Sequence, residues 1–256
     1  MTTSLAELVE PGTGTLAESH RRLVEDGTPP GAAAMYLAGW FAGGLAGSVG
    51  RELAVAGVGL LVDAARVRWT VHPEGWPQSI DLGAPAQATG PLEDVLEPVV
   101  AALVVAAEPI VDACHGLAPV GRPGLWNEVG DGLGCALTDE ETGTVTPAML
   151  AVLDAAVRSP AARWRARPSL RFARSTLGPL HVVQKGGCCL AYTRPHWPDP
   201  PPELLGPAER AYRDRFPPRP GERHYCSTCS FRDAADADAR QVCWRELVRA
   251  ERAAAT

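Results

Sequence analysis

The sequence predicts a mainly helical α+β fold, with a helical N-terminal scaffold, a small antiparallel sheet and a C-terminal domain built around clustered cysteines. Long apolar segments at 31–63 and 99–111 are typical of buried helices. Between them, Val67, Trp69 and Val71 alternate with polar residues, and this period of two predicts a strand. Seven cysteines are present, and four of them lie close together in the C-terminal third.

Each further element has its own local signal. Pro73, Gly75 and Pro77 predict a turn after the first strand, so that 78–82 returns as a second strand. Glu93 and Asp94 mark a helix start, because acidic residues favour the positive end of the helix dipole. The predicted helices are 15–25, 31–48 with an apolar continuation over 51–63, 91–114, 125–137, 146–159, 208–215 and 234–253, and a further strand is predicted at 180–184.

A domain boundary is predicted near residue 150. With 256 residues, the chain suits one large domain or two small ones and is long enough to bury a substantial core. Residues 1–150 are predicted to form the helical scaffold, to which we also assign substrate binding as a role to be tested. Residues 151–256 are predicted to form the domain that carries the clustered cysteines.

Charge and composition limit the classes of function. The formal net charge is −6, which argues against wholesale binding of nucleic acid. Residues 1–10 lack a basic start followed by an apolar run, and the apolar segment 31–63 is broken by Arg51 and Glu52. We therefore expect a cytoplasmic protein without a transmembrane segment. In that compartment, seven cysteines indicate metal or redox chemistry rather than a disulfide framework.

The strongest functional signal is a pair of cysteine motifs, Cys188-Cys189 and Cys226-Ser-Thr-Cys229. Four thiolates suit zinc, a rubredoxin-like iron or a [2Fe–2S] cluster. Adjacent side chains tend to diverge, so the Cys188-Cys189 pair favours a centre with two metal atoms over a single ion. Other interpretations stay open at this point: a buried pair of small apolar residues, a vicinal disulfide, or a redox dithiol at Cys226 and Cys229.

The cysteine motifs resemble the C-terminal signature of the FhuF family of ferric-siderophore reductases, which carries C-C-x₁₀-C-x₂-C. The matching text is Lys185-Gly-Gly-Cys188-Cys189-Leu190-Ala-Tyr192, followed by Tyr225-Cys226-Ser-Thr-Cys229. Leu125-Trp126-Asn127 also resembles a family segment. The resemblance implies that Cys188, Cys189, Cys226 and Cys229 bind a [2Fe–2S] cluster, both as cofactor-binding residues and as metal ligands.

The spacing departs from the family in one respect. Here 36 residues separate the two cysteine pairs, and the surplus is mostly a proline-rich stretch from Pro195 to Pro220. Lengthening a loop costs little entropy, so the pairs can meet despite the insertion. The longer segment bears more on access to the centre than on the ligands, which leaves the family's substrate less certain for this chain.

The function implied by the resemblance is one-electron reduction of an iron(III) siderophore, which releases iron(II) in the cytoplasm. No catalytic residue beyond the cluster is required. Gly12-Thr-Gly14 fits the start of a dinucleotide fingerprint, but no strand is predicted before it, so an external donor of the ferredoxin or flavin-reductase type is expected. The alternative is a non-catalytic zinc- or cluster-binding regulatory protein.

The remaining candidates have simpler explanations. Cys114, Cys135 and Cys243 lie in apolar helical contexts and are assigned to core packing. His224 is a candidate hydrogen-bond donor near the cysteines, and Tyr192 and Tyr225 are expected to shield them. No acidic residue occurs from 155 to 198, whereas eight basic residues do. This stretch is either a solvated basic face or a docking surface for an acidic donor or an anionic ferric chelate.

Overall fold

The computed structural model describes residues 1–138, 144–190, 193, 205–217 and 226–255. Within these ranges the chain is mainly helical, with small antiparallel sheets, as predicted. The helices are α1 (Leu5–Val9), α2 (Thr15–Glu25), α3 (Pro30–Leu37), α4 (Gly44–Arg51), α5 (Leu92–Leu117), α6 (Arg122–Gly134), α7 (Pro147–Val157), α8 (Pro207–Arg215) and α9 (Ala234–Ala255).

The strands form three small sheets in the described part of the chain. They are β1 (Thr2–Ser4), β2 (Gly59–Leu61), β3 (Arg68–Val71), β4 (Pro77–Asp81), β5 (Ala86–Ala88), β6 (Ser169–Ala173) and β7 (Leu180–Gln184). The first sheet has the order β1-β3-β4, the second pairs β2 with β5, and the third is the β6–β7 hairpin. All of these pairings are antiparallel.

A continuous helical stretch, Pro30–Ala56, runs through α3 and α4. Its segments Ala38–Gly43 and Glu52–Ala56 are π-helical. It ends at Gly57, whose φ of +67° lies in the left-handed region that favours glycine. By length and composition it is apolar enough to cross a membrane, with a mean hydropathy of 1.3, but 67% of its most apolar window is buried inside the protein.

The long helix packs against α6 by close backbone contact. A Cβ atom added at Gly43 would lie 2.9 Å from the backbone oxygen of Glu128 on α6, so a larger residue there would push the helices apart. Gly132 on α6 faces Gly43 in the same way. These glycines hold α6 close to the long helix. The same part of α6 carries Glu128 and Asp131, which contact the cysteine loop.

One hydrophobic core joins the long helix to α5, α6 and α7. Phe41, Leu103, Leu125 and Leu153, one from each of these elements, are completely buried. Burying a side chain of this size stabilises the fold by about 1.5–3 kcal/mol relative to exposing it. The core extends to Trp164, so helix α7 packs with the N-terminal helices.

The cysteine-bearing part of the chain is organised by the β6–β7 hairpin and α9. Gln241 on α9 accepts a hydrogen bond from the Val183 backbone N–H (3.0 Å) and donates one to the Val183 carbonyl (2.8 Å). The Gln241 side-chain amide thus makes the two hydrogen bonds to the Val183 backbone that a neighbouring strand would make. This pairing fixes where β7 ends and therefore where the cysteine loop begins.

Most of the predicted elements are confirmed, with specific errors. The helices over 15–25, 208–215 and 234–253 and the strand over 180–184 agree with the structure to within two residues at each end. The apolar continuation over 51–63 is wrong beyond Ala56, because β2 occupies Gly59–Leu61. The single predicted sheet is one of three in the described residues, and β1, β2, β5 and β6 were not predicted.

The buried histidine of β7 predicts a pH dependence of stability. Burial, and then the charge of Arg245, lowers the pKa of His181 to about 4. The unfolded chain takes up this proton near pH 6.5, whereas the folded chain does so only near pH 4, so stability falls as the pH falls through that window. The expected loss is about 3 kcal/mol by urea unfolding. His181→Phe should flatten the profile; His115→Gln, an exposed control, should not.

Candidate metal centre

Strand β7 delivers the first cysteine pair directly. Lys185, Gly186 and Gly187 follow β7, and Cys188 and Cys189 come next. The second pair is held in a tight turn, in which the Cys229 N–H donates to the Cys226 carbonyl (3.1 Å). Both pairs therefore lie on short irregular segments that are anchored by regular elements, the first by β7 and the second by the start of α9.

The two cysteine segments are bonded to each other through their backbones. The Lys185 N–H donates to the Thr228 carbonyl (2.7 Å), and the Ser230 hydroxyl donates to the Gly187 carbonyl (3.2 Å). The Gln184 side-chain amide also donates to the Cys229 carbonyl (3.3 Å). The structure thus brings together two motifs that are 36 residues apart in sequence.

The thiols of the two motifs approach each other at this junction. Cys189 and Cys226 line the same cavity, and the protonation of each affects the pKa of the other. Cys229 is buried, and the other three are half-buried. The two motifs therefore meet at the end of β7.

Backbone N–H groups point at two of the sulfurs. The Leu190 N–H donates to Cys188 Sγ and the Phe231 N–H donates to Cys229 Sγ, each over 3.4 Å. In both cases the donor lies two residues after the cysteine. Such bonds stabilise a thiolate relative to a thiol, as metal-binding turns require. Leu190 adopts a φ of +58°, which shows that the chain accepts a strained conformation here.

The protonation of the contacting thiols is coupled. The hydrogen bond from Cys189, together with those of Thr228 and the charge of Lys185, lowers the pKa of Cys226 to about 5 against the opposing effect of burial. The same hydrogen bond and burial raise the pKa of Cys189. Burial also raises the pKa of Cys229. The Cys189–Cys226 pair thus loses its first proton easily and holds the second one strongly.

The positions of the four thiols do not form a closed metal site. In the described part of the chain, no group of three or more histidine, cysteine, aspartate or glutamate side chains has the arrangement that holds a metal ion. All seven cysteines are free thiols. Binding of a metal centre by the four cysteines would therefore require their side chains to move closer together.

Three charged side chains, those of Asp131, Glu128 and Lys185, hold the cysteine loop against α6. Asp131 of α6 accepts hydrogen bonds from the backbone N–H groups of Gly186 (2.7 Å) and Gly187 (3.0 Å). The Lys185 ammonium donates to Glu128 Oε2 over 2.6 Å. The only lysine among the 24 basic residues is therefore paired with a carboxylate that is 2% exposed. Sequence reasoning missed this support, although it noted the adjacent Asn127.

The close packing of the cysteine loop requires glycine at both Gly186 and Gly187. A Cβ atom added at Gly187 would lie 2.7 Å from the Cβ of Asn127, and one at Gly186 would collide with the backbone of Arg167. The two glycines therefore allow the cysteine loop to pack closely against α6 and the backbone of Arg167. Asn127 Oδ1 also accepts the Arg165 and Ala166 N–H groups (3.0 and 3.1 Å), which fixes this segment on α6.

Burial governs the carboxylates beneath the loop. Burial raises the pKa of Asp131 to about 7, against the opposing effect of Lys185 and the two glycine N–H donors. Burial likewise raises the pKa of Glu128, against Lys185. Burial alone would lower the pKa of Lys185, but the negative charges of Glu128 and Asp131 outweigh this effect and raise its pKa. The ammonium is therefore charged at any physiological pH.

A cavity of about 470 Å³ opens beside the contacting thiols. It lies between the long helix and α6, and its lining includes Cys189 and Cys226. Tyr36 and Trp40 from the long helix also line it. Volumes of this size are typical of small-molecule pockets. A ligand in this cavity would therefore sit next to the proposed metal ligands.

The other cysteines separate into two kinds. Cys114 and Cys243 are buried, with 0% and 7% of their surface exposed, which agrees with the packing role predicted for them. Cys135 instead is half-buried and lines the cavity beside Cys189 and Cys226. The pure packing role predicted for Cys135 is therefore incomplete. His224, Tyr192, Tyr225 and most of the proline-rich stretch lie outside the described residues.

The acid-free stretch is partly neutralised by acids from elsewhere in the fold. Its pairs with carboxylates are Arg158–Asp154, Arg163–Glu108, Arg171–Asp238 and Lys185–Glu128. Four of its seven basic side chains within the described residues are thus paired. These pairs lower the positive potential that a docking surface for an anionic partner would need.

No known protein family, curated protein or solved structure matches the chain. Its family and activity are therefore argued from its own residues.

Proposed function

We propose that the chain is an iron–sulfur oxidoreductase of the FhuF type, which reduces an iron(III) siderophore by one electron. Cys188, Cys189, Cys226 and Cys229 would hold a [2Fe–2S] cluster. The observation that carries the proposal is the hydrogen bond from the Lys185 N–H to the Thr228 carbonyl (2.7 Å), which brings together two cysteine motifs 36 residues apart in sequence.

The donor set fits such a cluster in three respects. Its four ligands are soft thiols, and the first of them to lose a proton does so near pH 5. The N–H groups of Leu190 and Phe231 already point at two sulfurs. The ammonium of Lys185, held by Glu128, places a positive charge beside the thiols and so favours their deprotonated forms.

The chemistry needs no acid or base from the protein. Hard oxygen ligands bind iron(III) far more tightly than iron(II), so one added electron loosens the metal without breaking a bond in the chelator. A bound [2Fe–2S] cluster supplies electrons singly, which matches this step. The chelated iron(III) becomes iron(II), and the electron comes ultimately from an external donor of the ferredoxin or flavin-reductase type. We place the reaction in the cytoplasm.

A second candidate function follows from the same turns. N–H groups that donate to cysteine sulfurs are equally suited to zinc, so a non-catalytic zinc- or cluster-binding regulatory protein is the alternative. The lowered pKa of Cys226 also suits a thiol redox role for Cys226 and Cys229. Metal content separates the reductase from a zinc protein and from a metal-free dithiol, and turnover of ferric siderophores separates it from a cluster-binding regulatory protein.

The test is anaerobic purification of the full chain, followed by measurement of iron, acid-labile sulfide and zinc. We expect equal iron and sulfide, at about two of each per chain, and a red-brown colour. Dithionite-reduced protein should then turn over a panel of ferric siderophores, with iron(II) trapped by a colorimetric chelator. Stoichiometric zinc without sulfide would exclude the reductase, and metal-free titratable thiols would favour the dithiol role.

A further inference from the structure

The wall of the cavity between the long helix and α6 contains a buried carboxylate oxygen without a donor. Glu128 lines this cavity and is 2% exposed. Its Oε2 accepts a hydrogen bond from the Lys185 ammonium (2.6 Å), whereas its Oε1 has no hydrogen-bond partner within the described part of the chain. Buried polar atoms are almost always paired, because losing water without gaining a new partner is costly. This oxygen therefore marks a place where a ligand can supply the missing donor.

The charges in the cavity wall favour a cation as that donor. Among the described residues that line the cavity, the carboxylates of Glu128 and Asp131 accompany a single ammonium, that of Lys185. Asp131 is held against the cysteine loop by the N–H groups of Gly186 and Gly187. When all three side chains are ionised, their net charge is negative. An ammonium group on a ligand would offset this charge and bond to Glu128 Oε1, whereas a carboxylate would be repelled in a partly desolvated space.

Aromatic side chains give the same cavity a surface for the apolar body of a ligand. Tyr36 and Trp40 lie one helical turn apart and stack, with ring centroids 5.9 Å apart and an angle of 23° between planes. Both are half-buried and line the cavity. A Cβ atom added at Gly39 would lie 2.9 Å from Glu128 Oε2, so the backbone next to Trp40 approaches the carboxylate closely. Because aromatic faces attract cations as well as apolar groups, ring and carboxylate can bind the same ligand.

We propose that this cavity binds an organic ammonium ion, which donates a hydrogen bond to Glu128 Oε1 and packs its apolar or aromatic body beside Trp40. The cavity volume of about 470 Å³ suits a small molecule of this kind. Recognition uses side chains of the long helix and α6, so it requires no metal centre. The inference therefore goes beyond the proposed function and does not depend on it.

Three probes that share a naphthyl ring and differ in their polar group test this inference: naphthylethylamine, naphthylethanol and naphthylacetate. They would be titrated by calorimetry into the full chain at about pH 8, where the amine is protonated and Asp131 is ionised. We expect the amine to bind at least tenfold more tightly than the alcohol, a difference of about 1.4 kcal/mol, and the carboxylate to bind more weakly than both. Equal binding of the amine and the alcohol would overturn the inference.

A double variant separates contact with Glu128 from attraction by net charge. Glu128→Gln with Lys185→Met removes one negative and one positive charge, so the net charge of the wall stays the same while the acceptor of the ammonium becomes neutral. The variant should stay folded, because neither buried partner is left charged. We expect the preference for the amine over the alcohol to fall to about threefold or less. A preference that remained tenfold would show that Glu128 does not bind the ammonium.

Trp40→Ala tests the aromatic wall in a protein that keeps Glu128. The amine and the alcohol should both bind about five- to tenfold more weakly, with the preference between them retained. Trp76→Ala is the matched control, since Trp76 is exposed, stacks on His72 and does not line the cavity. Unchanged affinities in Trp40→Ala would contradict this site. Iron and sulfide content are measured separately, so failure of amine binding leaves the reductase proposal standing, and absence of a cluster leaves this site standing.

Discussion

Replacement of Cys188, Cys189, Cys226 or Cys229 by serine, one at a time, is expected to abolish or reshape the visible spectrum of the anaerobic protein. Each residue would supply one of the four thiolates of the proposed cluster, and the hydrogen bond from the Lys185 N–H to the Thr228 carbonyl brings the two motifs together. Iron and sulfide content should fall by more than half in every variant, as measured by metal analysis and electron paramagnetic resonance of the reduced protein.

The remaining cysteines provide controls of the same chemistry. Cys243→Ser and Cys114→Ala change buried thiols that line no part of the cavity, so cluster content and spectrum should stay as in the unmodified chain. Cys135→Ala is the sharper control, because Cys135 lines the cavity beside two proposed ligands. If Cys135→Ala loses the cluster while any one of the four serine variants keeps it, the assignment of ligands is wrong.

Lys185→Met is expected to destabilise the protein by about 3–5 kcal/mol in urea unfolding, because it leaves Glu128 as an unpaired buried charge. The loss should be largest above neutral pH, where the carboxylate cannot escape by taking a proton. The double variant Lys185→Met with Glu128→Gln should recover most of the stability, since neither partner is then charged.

Arg158→Met is the matched control for this effect. Arg158 pairs with Asp154 on the surface, with side-chain exposures of 58% and 44%, and removal of such a solvent-screened pair should change stability little. A double variant as unstable as Lys185→Met alone would mean that the lysine acts through packing rather than through its charge. That outcome would remove the electrostatic argument for its place beside the thiols.

Local signals predicted much of the fold, and long-range pairing accounts for what they missed. The bounds of helix α2 and strand β7 were predicted closely from their local sequence. Strand β1 consists of Thr2–Ser4, and it exists because it pairs with β3 more than 60 residues away. A three-residue strand has too few residues to show a period of two.

The candidate site also contains residues that local sequence reveals and residues that only long-range packing brings in. Within each pair the cysteines are adjacent or nearly adjacent in sequence, so both motifs could be recognised from the sequence. Glu128 and Asp131 gave no such signal, because their roles depend on the packing of α6 under a loop 55 residues later. Lys185 is the only lysine in the sequence, but its partner, Glu128, could be found only from the folded chain.

The bonds that join the two cysteine segments have a consequence for tolerance to changes in chain length. Gln184, Lys185 and Gln241 hold both segments from β7 and α9, through contacts with Thr228, Cys229 and Ser227. These contacts lie outside the stretch between Cys189 and Cys226. Insertions or deletions within that stretch are therefore expected to leave both cysteine segments in place.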